Sequence, residues 1–163
     1  MFEAALKWLK LSESIVATAA YAVVAILLMI DVIGRELFAT SFLGMQQIAV
    51  YGAIIAGFLG LTLATSDNAH LRPEFMDFVA GRHENAVQRF GDILSALFFF
   101  AAAYVAYTFV LISMDAGDKA PVLYFVIWPL QLVLPYAFGS AGVKHLIYGL
   151  RPDLKPYSGE VRG

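Results

Sequence analysis

No cysteine occurs among the 163 residues, which excludes disulfides, iron–sulfur clusters and zinc–thiolate centres. Charge is scarce too. Asp, Glu, Lys and Arg together make up 15% of the chain, against about 25% in soluble domains. The net charge is −2, so there is no basic surplus to bind nucleic acid. A Ser-His-Asp grouping, a phosphate-binding glycine loop and an HExxH motif are all missing, and with them the usual signatures of an enzyme. No site for a cofactor or metal is expected. What remains is apolar: 60% of residues are hydrophobic and the mean hydropathy is +0.72.

The few charges are unevenly placed. Four stretches carry none, at residues 14–30, 37–66, 93–114 and 120–143, and together they exceed half the chain. A helix needs roughly 20 apolar residues to cross a bilayer. The expected fold is an all-α membrane protein, one domain over residues 1–163. Its four transmembrane helices are expected at about 14–33, 47–65, 93–114 (with a helical extension back toward Glu84) and 122–145. The 37–66 stretch is too long for one crossing and too short for two. Gln46 and Gln47 mark its interface and residues 40–44 form the turn. The Ala17-Thr18-Ala19 triplet resembles a cleavage site, but the apolar segment before it is short and broken by Glu13. The first span is therefore expected to stay as an anchor.

Two short amphipathic interfacial helices are predicted. One places Phe2, Leu6 and Leu9 on a common face, with a plain N-terminal extension of span one as the alternative. The other, opened by Pro73, carries Leu71, Phe75, Phe78 and Val79. Nine of the eleven Lys and Arg residues lie in the N-terminal segment, the middle loop and the C-terminal tail. Only Arg35 and Lys119 occupy the other two loops. The positive-inside rule then puts both termini in the cytoplasm. Tyr124 and Trp128 fall at the outer start of span four, a depth that suits amphipathic rings.

Candidate functional residues are few. Asp31 stands near the outer end of span one with Arg35 four residues on, a spacing that suits an ion pair. Glu36, Gln46 and Gln47 lie close by in sequence. Span two has a small-residue stripe of Ala49, Ala53, Ala56, Gly57, Gly60 and Ala64, which admits a closely packed helix. That helix could come from the same chain or from a partner. His70, His83 and His145 all fall near the cytoplasmic surface, a poor arrangement for a haem inside a bundle.

Residues 31–75 contain Arg35 after span one, Gln46-Gln47 opening span two, Gly57-Phe58-Leu59-Gly60 late in it, and then His70-Leu71. In this stretch the chain resembles the DctQ-like small integral membrane subunit of tripartite ATP-independent periplasmic (TRAP) transporters. Gln46 and Gln47 stand where the family commonly has glutamates. Pro73-Glu74 replaces a frequent Val-Asp pair. The resemblance implies a multi-pass protein of the bacterial inner membrane that scaffolds a large sodium-coupled elevator subunit. A periplasmic binding protein would deliver the substrate, commonly an organic acid. Under that reading Asp31, Arg35, Glu36, Gln46, Gln47, Ala53, Gly57, Gly60 and His70 are the candidate partner contacts, with membrane lipids around them. The competing readings are a small autonomous four-span exporter, which needs a carboxylate facing a central cavity, and a haem-bearing membrane anchor.

Overall fold

The computed structural model describes residues 2–40, 43–67 and 84–155. Within them the chain is helical. The elements in order are α1 (Phe2–Phe38), α2 (Leu43–Ser66), α3 (Glu84–Ala116), a short α4 (Trp128–Gln131) and α5 (Val133–Leu150), followed by a 3-10 turn at Pro152–Leu154. The predicted interfacial helix at residues 73–79, and His70, lie outside the described residues.

The N-terminal interfacial helix does not exist as a separate element. Residues 2–10 belong to α1, a single helix of 37 residues, as the alternative reading had it. The cause is local. Neither glycine nor proline occurs before Gly34, so nothing interrupts the ladder, and Ser12 Oγ folds back onto Leu9 O (3.0 Å) instead of capping a new helix. At 1.5 Å per residue α1 is about 55 Å long, well beyond a hydrocarbon core of about 30 Å.

The inward face of α1 is a narrow seam. Leu6, Leu9, Glu13, Ala17, Ala20, Val24, Leu27, Asp31 and Gly34 are its less exposed positions, with Ser14 beside them. They recur at steps of three and four that average 3.5 residues, the period of a supercoiled helix pair. Both seam acids, Glu13 and Asp31, are almost wholly buried. Past Phe38 the chain turns through Ala39, whose φ is +49°, and Thr40 N–H reaches back to Gly34 O (3.1 Å). A left-handed conformation strains any residue with a Cβ. Ala39→Gly should therefore stabilise the protein by about 1 kcal/mol, read as a rise of a few degrees in Tm of the purified chain.

Helix α2 matches the expected second span closely, and α3 starts at Glu84 as foreseen. Glycine ends α3: Gly117 has φ +68°. Its N–H bonds Met114 O (3.2 Å) while Asp118 N–H bonds Ser113 O (3.1 Å), which together form a Schellman stop.

The fourth span departs from expectation. Residues 118–127 form a tight hairpin instead of the first turns of a helix. Lys119 and Val126 pair as an isolated antiparallel bridge, Ala120 N–H bonds Phe125 O, and Tyr124 takes a φ of +54°. The helix that follows is broken at Leu132. Pro135 explains the break: it supplies no N–H, and its ring crowds the carbonyl four residues earlier, that of Gln131. Three described helices are long and apolar enough to cross a membrane, α1, α2 and α3. With 18 residues and both Lys144 and His145 inside it, α5 is the shorter, more polar fourth.

Packing runs in the order α1–α2–α5–α3. The closest associations are α1 with α2 and α3 with α5, and α2 joins the two pairs. Small residues make this possible. Ala49, Ala96, Ala106, Ala137 and Ala141 are buried, and three glycines mark close approaches of one helix to another. A Cβ on Gly52 would lie 2.6 Å from Val24 Cγ2, one on Gly142 3.1 Å from the Phe100 ring, and one on Gly149 2.9 Å from Ile93 Cγ1. In lipid, such close backbone approach replaces the hydrophobic drive for association. Large apolar side chains point outward instead: Tyr21 and Met29 on α1, and Leu97, Phe98, Tyr104 and Val105 on α3, are each 60% exposed or more.

Candidate functional site

The end of the α1–α2 hairpin nearest Ala39 gathers most of the residues singled out from the sequence. Asp31 is 1% exposed. Gln46 Nε2 donates to Asp31 Oδ2 (2.9 Å), and Arg35 Nη2 lies 3.2 Å from the same oxygen. The spacing of four places Arg35 over Asp31 on one face of α1, and the turn at Ala39 returns α2 with Gln46 beside them. Arg35 remains about half exposed, so the cluster presents a guanidinium outward above a buried carboxylate. Gln47 faces the other way and accepts from Val122 N–H (3.2 Å), which ties the 118–127 hairpin to α2. Leu123 closes over Gly44, where a Cβ would stand 2.7 Å from its Cδ2. Tyr51 meets Phe125 edge-on at 5.7 Å, and Tyr124 stands 74% exposed at the tip.

Asp31, Arg35 and Gln46 thus form one bonded group, with Gln47 adjacent. Glu36 is exposed on the next turn of α1 and has no part in the bonds described for that group. The small-residue stripe divides. Ala49 is buried within the fold, whereas Ala53, Gly57 and Gly60 lie on an exposed face of α2. A Cβ on Gly57 or Gly60 would meet nothing within 4 Å. Among the described residues these two glycines play no part in packing inside the chain.

Sequence reasoning missed the polar cluster at the opposite end. Glu13 marked only the boundary of span one, and Lys144 only the end of span four. Both are buried, at 1% and 0% exposure, and they form an ion pair across 131 positions. Ser140 Oγ donates to Glu13 Oε1, and Lys144 Nζ also donates to Thr62 O (2.8 Å). Three further hydroxyls, of Thr62, Thr65 and Ser66, are satisfied by carbonyls of the preceding turn. The available signal was a pair of opposite charges at the same predicted edge, Glu13 just before span one and Lys144 just inside the end of span four.

Around this pair, Lys10 bridges to Asp67. Asp92 at the base of α3 accepts both of its close Lys155 contacts (2.7 and 3.0 Å) and sits 3.1 Å from His145 Nδ1. The His145 ring stacks on Phe99 at 5.4 Å. These bonds collect the start of α1, the end of α2, the start of α3 and the end of α5 at one end of the molecule. Among the described residues no group of three or more His, Asp or Glu side chains could hold a metal.

Fold and site together define a multi-pass helical membrane protein whose buried charges are engaged with one another and whose unpacked surfaces are apolar or small. Residues 24–151 match the family model for the DctQ component of tripartite ATP-independent periplasmic transporters. The match covers most of the chain, and the protein belongs to that family. No match was found among curated proteins or among solved structures.

Proposed function

We propose that the chain is the small, stationary membrane subunit of a TRAP-type secondary transporter. It braces a large sodium-coupled elevator subunit that imports an organic acid handed over by a periplasmic binding protein. The carrying observation is the family match over residues 24–151. The internal pairing of both buried seam acids is in keeping with a scaffold: Asp31 is held by Arg35 and Gln46, Glu13 by Lys144 and Ser140. An autonomous exporter would need an acid available to a central cavity, and Glu13, although it lines a cleft, is committed to Lys144 and Ser140. His145, stacked on Phe99 and bonded to Asp92, has a packing role that accounts for it without a haem.

In this reading the chain is a single four-span domain of the bacterial inner membrane with both termini cytoplasmic. Two features support that topology: the positive-inside distribution, and the gathering of the α1 start and α5 end at one end of the molecule. Residues 128–150 supply the fourth crossing, with a length of about 34 Å if nearly straight. The open face of Ala53, Gly57 and Gly60 meets a helix of the large subunit. The Arg35 cluster, with Glu36, Gln46 and Gln47, faces the arriving binding protein. His70 belongs with the partner contacts on the cytoplasmic side.

Capture in mild detergent tests the reading. A larger multi-pass protein should co-purify with the tagged chain, and recovery of the chain alone from native membranes would refute it. Arg35→Ala should lower substrate uptake at least about fivefold with little loss of abundance, because a half-exposed ion pair contributes only about 1 kcal/mol to stability. Normal uptake at normal abundance would remove Arg35 from the docking surface.

A further inference from the structure

We infer that the Glu13–Lys144 ion pair is a tie between the two helix pairs, setting the separation of α1–α2 from α3–α5 at the end where α1 starts and α5 stops. Helix α1 packs mainly on α2, and α5 mainly on α3. Where α1 and α5 would otherwise meet there is a cleft of about 270 Å³, walled by Ser12, Val16, Ile55, Leu59, Val133 and Tyr136. Close van der Waals packing therefore does not hold α1 to α5 along this line. Instead the connection is ionic and sits at the edge of the cleft. Glu13 joins Lys144 and Ser140 of α5, and Lys144 also reaches Thr62 O of α2.

Three elements thus converge on one buried ammonium group. Such a pair is directional and has one satisfied geometry, whereas an apolar contact across an open cleft has many. Among the described residues the main remaining links between the pairs run along α2, against α5 and against the 118–127 hairpin, a line of contact about which the two could rotate. The tie lies off that line and blocks the rotation. This inference does not depend on the transporter assignment.

Absence of native cysteine makes the test specific. Lys7→Cys and Leu150→Cys, both at exposed positions, place spin labels on α1 and α5 of the full chain in lipid nanodiscs. In that background Lys144→Met alone should accumulate to about a tenth of the parent level or less, because Glu13 is left buried and unpaired. The double variant Glu13→Leu/Lys144→Met removes both charges and should return to within about twofold of the parent. Its distance distribution between labels should nevertheless broaden markedly, because the directional bond is gone. A merely charge-balancing pair would give the double variant the parent's distribution, and that result overturns the tie. Parent-like accumulation of Lys144→Met overturns it as well, as does failure of the double variant to accumulate, which would assign the site to shape rather than to the ionic bond.

Discussion

Replacing Lys144 with alanine should cost about 3–5 kcal/mol and nearly abolish the protein from membranes. The side chain is 0% exposed, and its Nζ is committed to Glu13 and to Thr62 O. Removing it leaves the Glu13 carboxylate buried without a counter-ion, with only hydroxyl groups, those of Ser140 and Tyr136, beside it. It also takes from Thr62 O one of its two side-chain donors, the other being Ser66 Oγ. A loss of that size is a large share of the 5–15 kcal/mol available to a typical domain. Lys10→Ala is the control. Lys10 also pairs with an acid, Asp67, but both partners are about half exposed, and an exposed pair contributes about 1 kcal/mol or less. Membrane abundance and Tm in mild detergent check the contrast. Equal losses for the two lysines would show that burial does not set the value of these pairs.

The second large effect separates two glycines on the same helix. Gly52→Leu places its Cβ where it would stand 2.6 Å from Val24 Cγ2, at the centre of the α1 seam. Val24 is β-branched and stiff, so α1 must move away. Overpacking of this kind costs about 1–3 kcal/mol, and more here because the whole hairpin has to open. Gly57→Leu, a little over one turn later, points into open space and should leave Tm unchanged. If the proposed function holds, it should instead abolish co-purification of a large subunit, and Gly60→Leu should behave likewise. Thermal unfolding of the isolated chain, measured beside capture of its partner, gives the two readouts. Loss of partner with Gly52→Leu alone, and not with Gly57→Leu, would move the docking face elsewhere on the protein.

Much of this fold could be read from uncharged length. Span two was expected at 47–65 and occupies Leu43–Ser66; span three was expected at 93–114 and forms the centre of Glu84–Ala116. Both lie between strong charge boundaries and contain no proline. Span four failed at its start because hydropathy cannot tell a helix from a hairpin. Residues 120–127 are apolar in either form, and the decision lies in hydrogen bonds between Asp118–Ala120 and Phe125–Ile127. The helix break at Leu132 is the ordinary consequence of Pro135, a bend that the sequence shows directly.

At the outer site, Asp31 and Arg35 were legible because their spacing is local. The bond from Gln46 depends on the turn at Ala39, yet the short connection made the meeting of α1 and α2 foreseeable. Glu13 and Lys144 were not legible as a pair. They are separated by 131 positions, and each looked like the ordinary charged edge of a span. The stripe on α2 misled in a useful way: its outward glycines drew the eye, while Gly52, the glycine that α1 requires, stood one turn before them.

The seam of α1 carries its two acids 18 residues apart, which is five full helical turns. Both therefore lie on the same side of the rod, about 27 Å from each other, and each is fastened to a different neighbour. Alanine, valine and leucine between them would slide against α2 with little preference among successive notches. Two pegs set at that distance work like the pins of a jig. A shift along the axis, or a roll about it, pulls both carboxylates from their sockets at once. In the scaffold role proposed above, the bearing surface would be held at both ends of its longest element, and a load applied at either rim would reach the opposite one without slip.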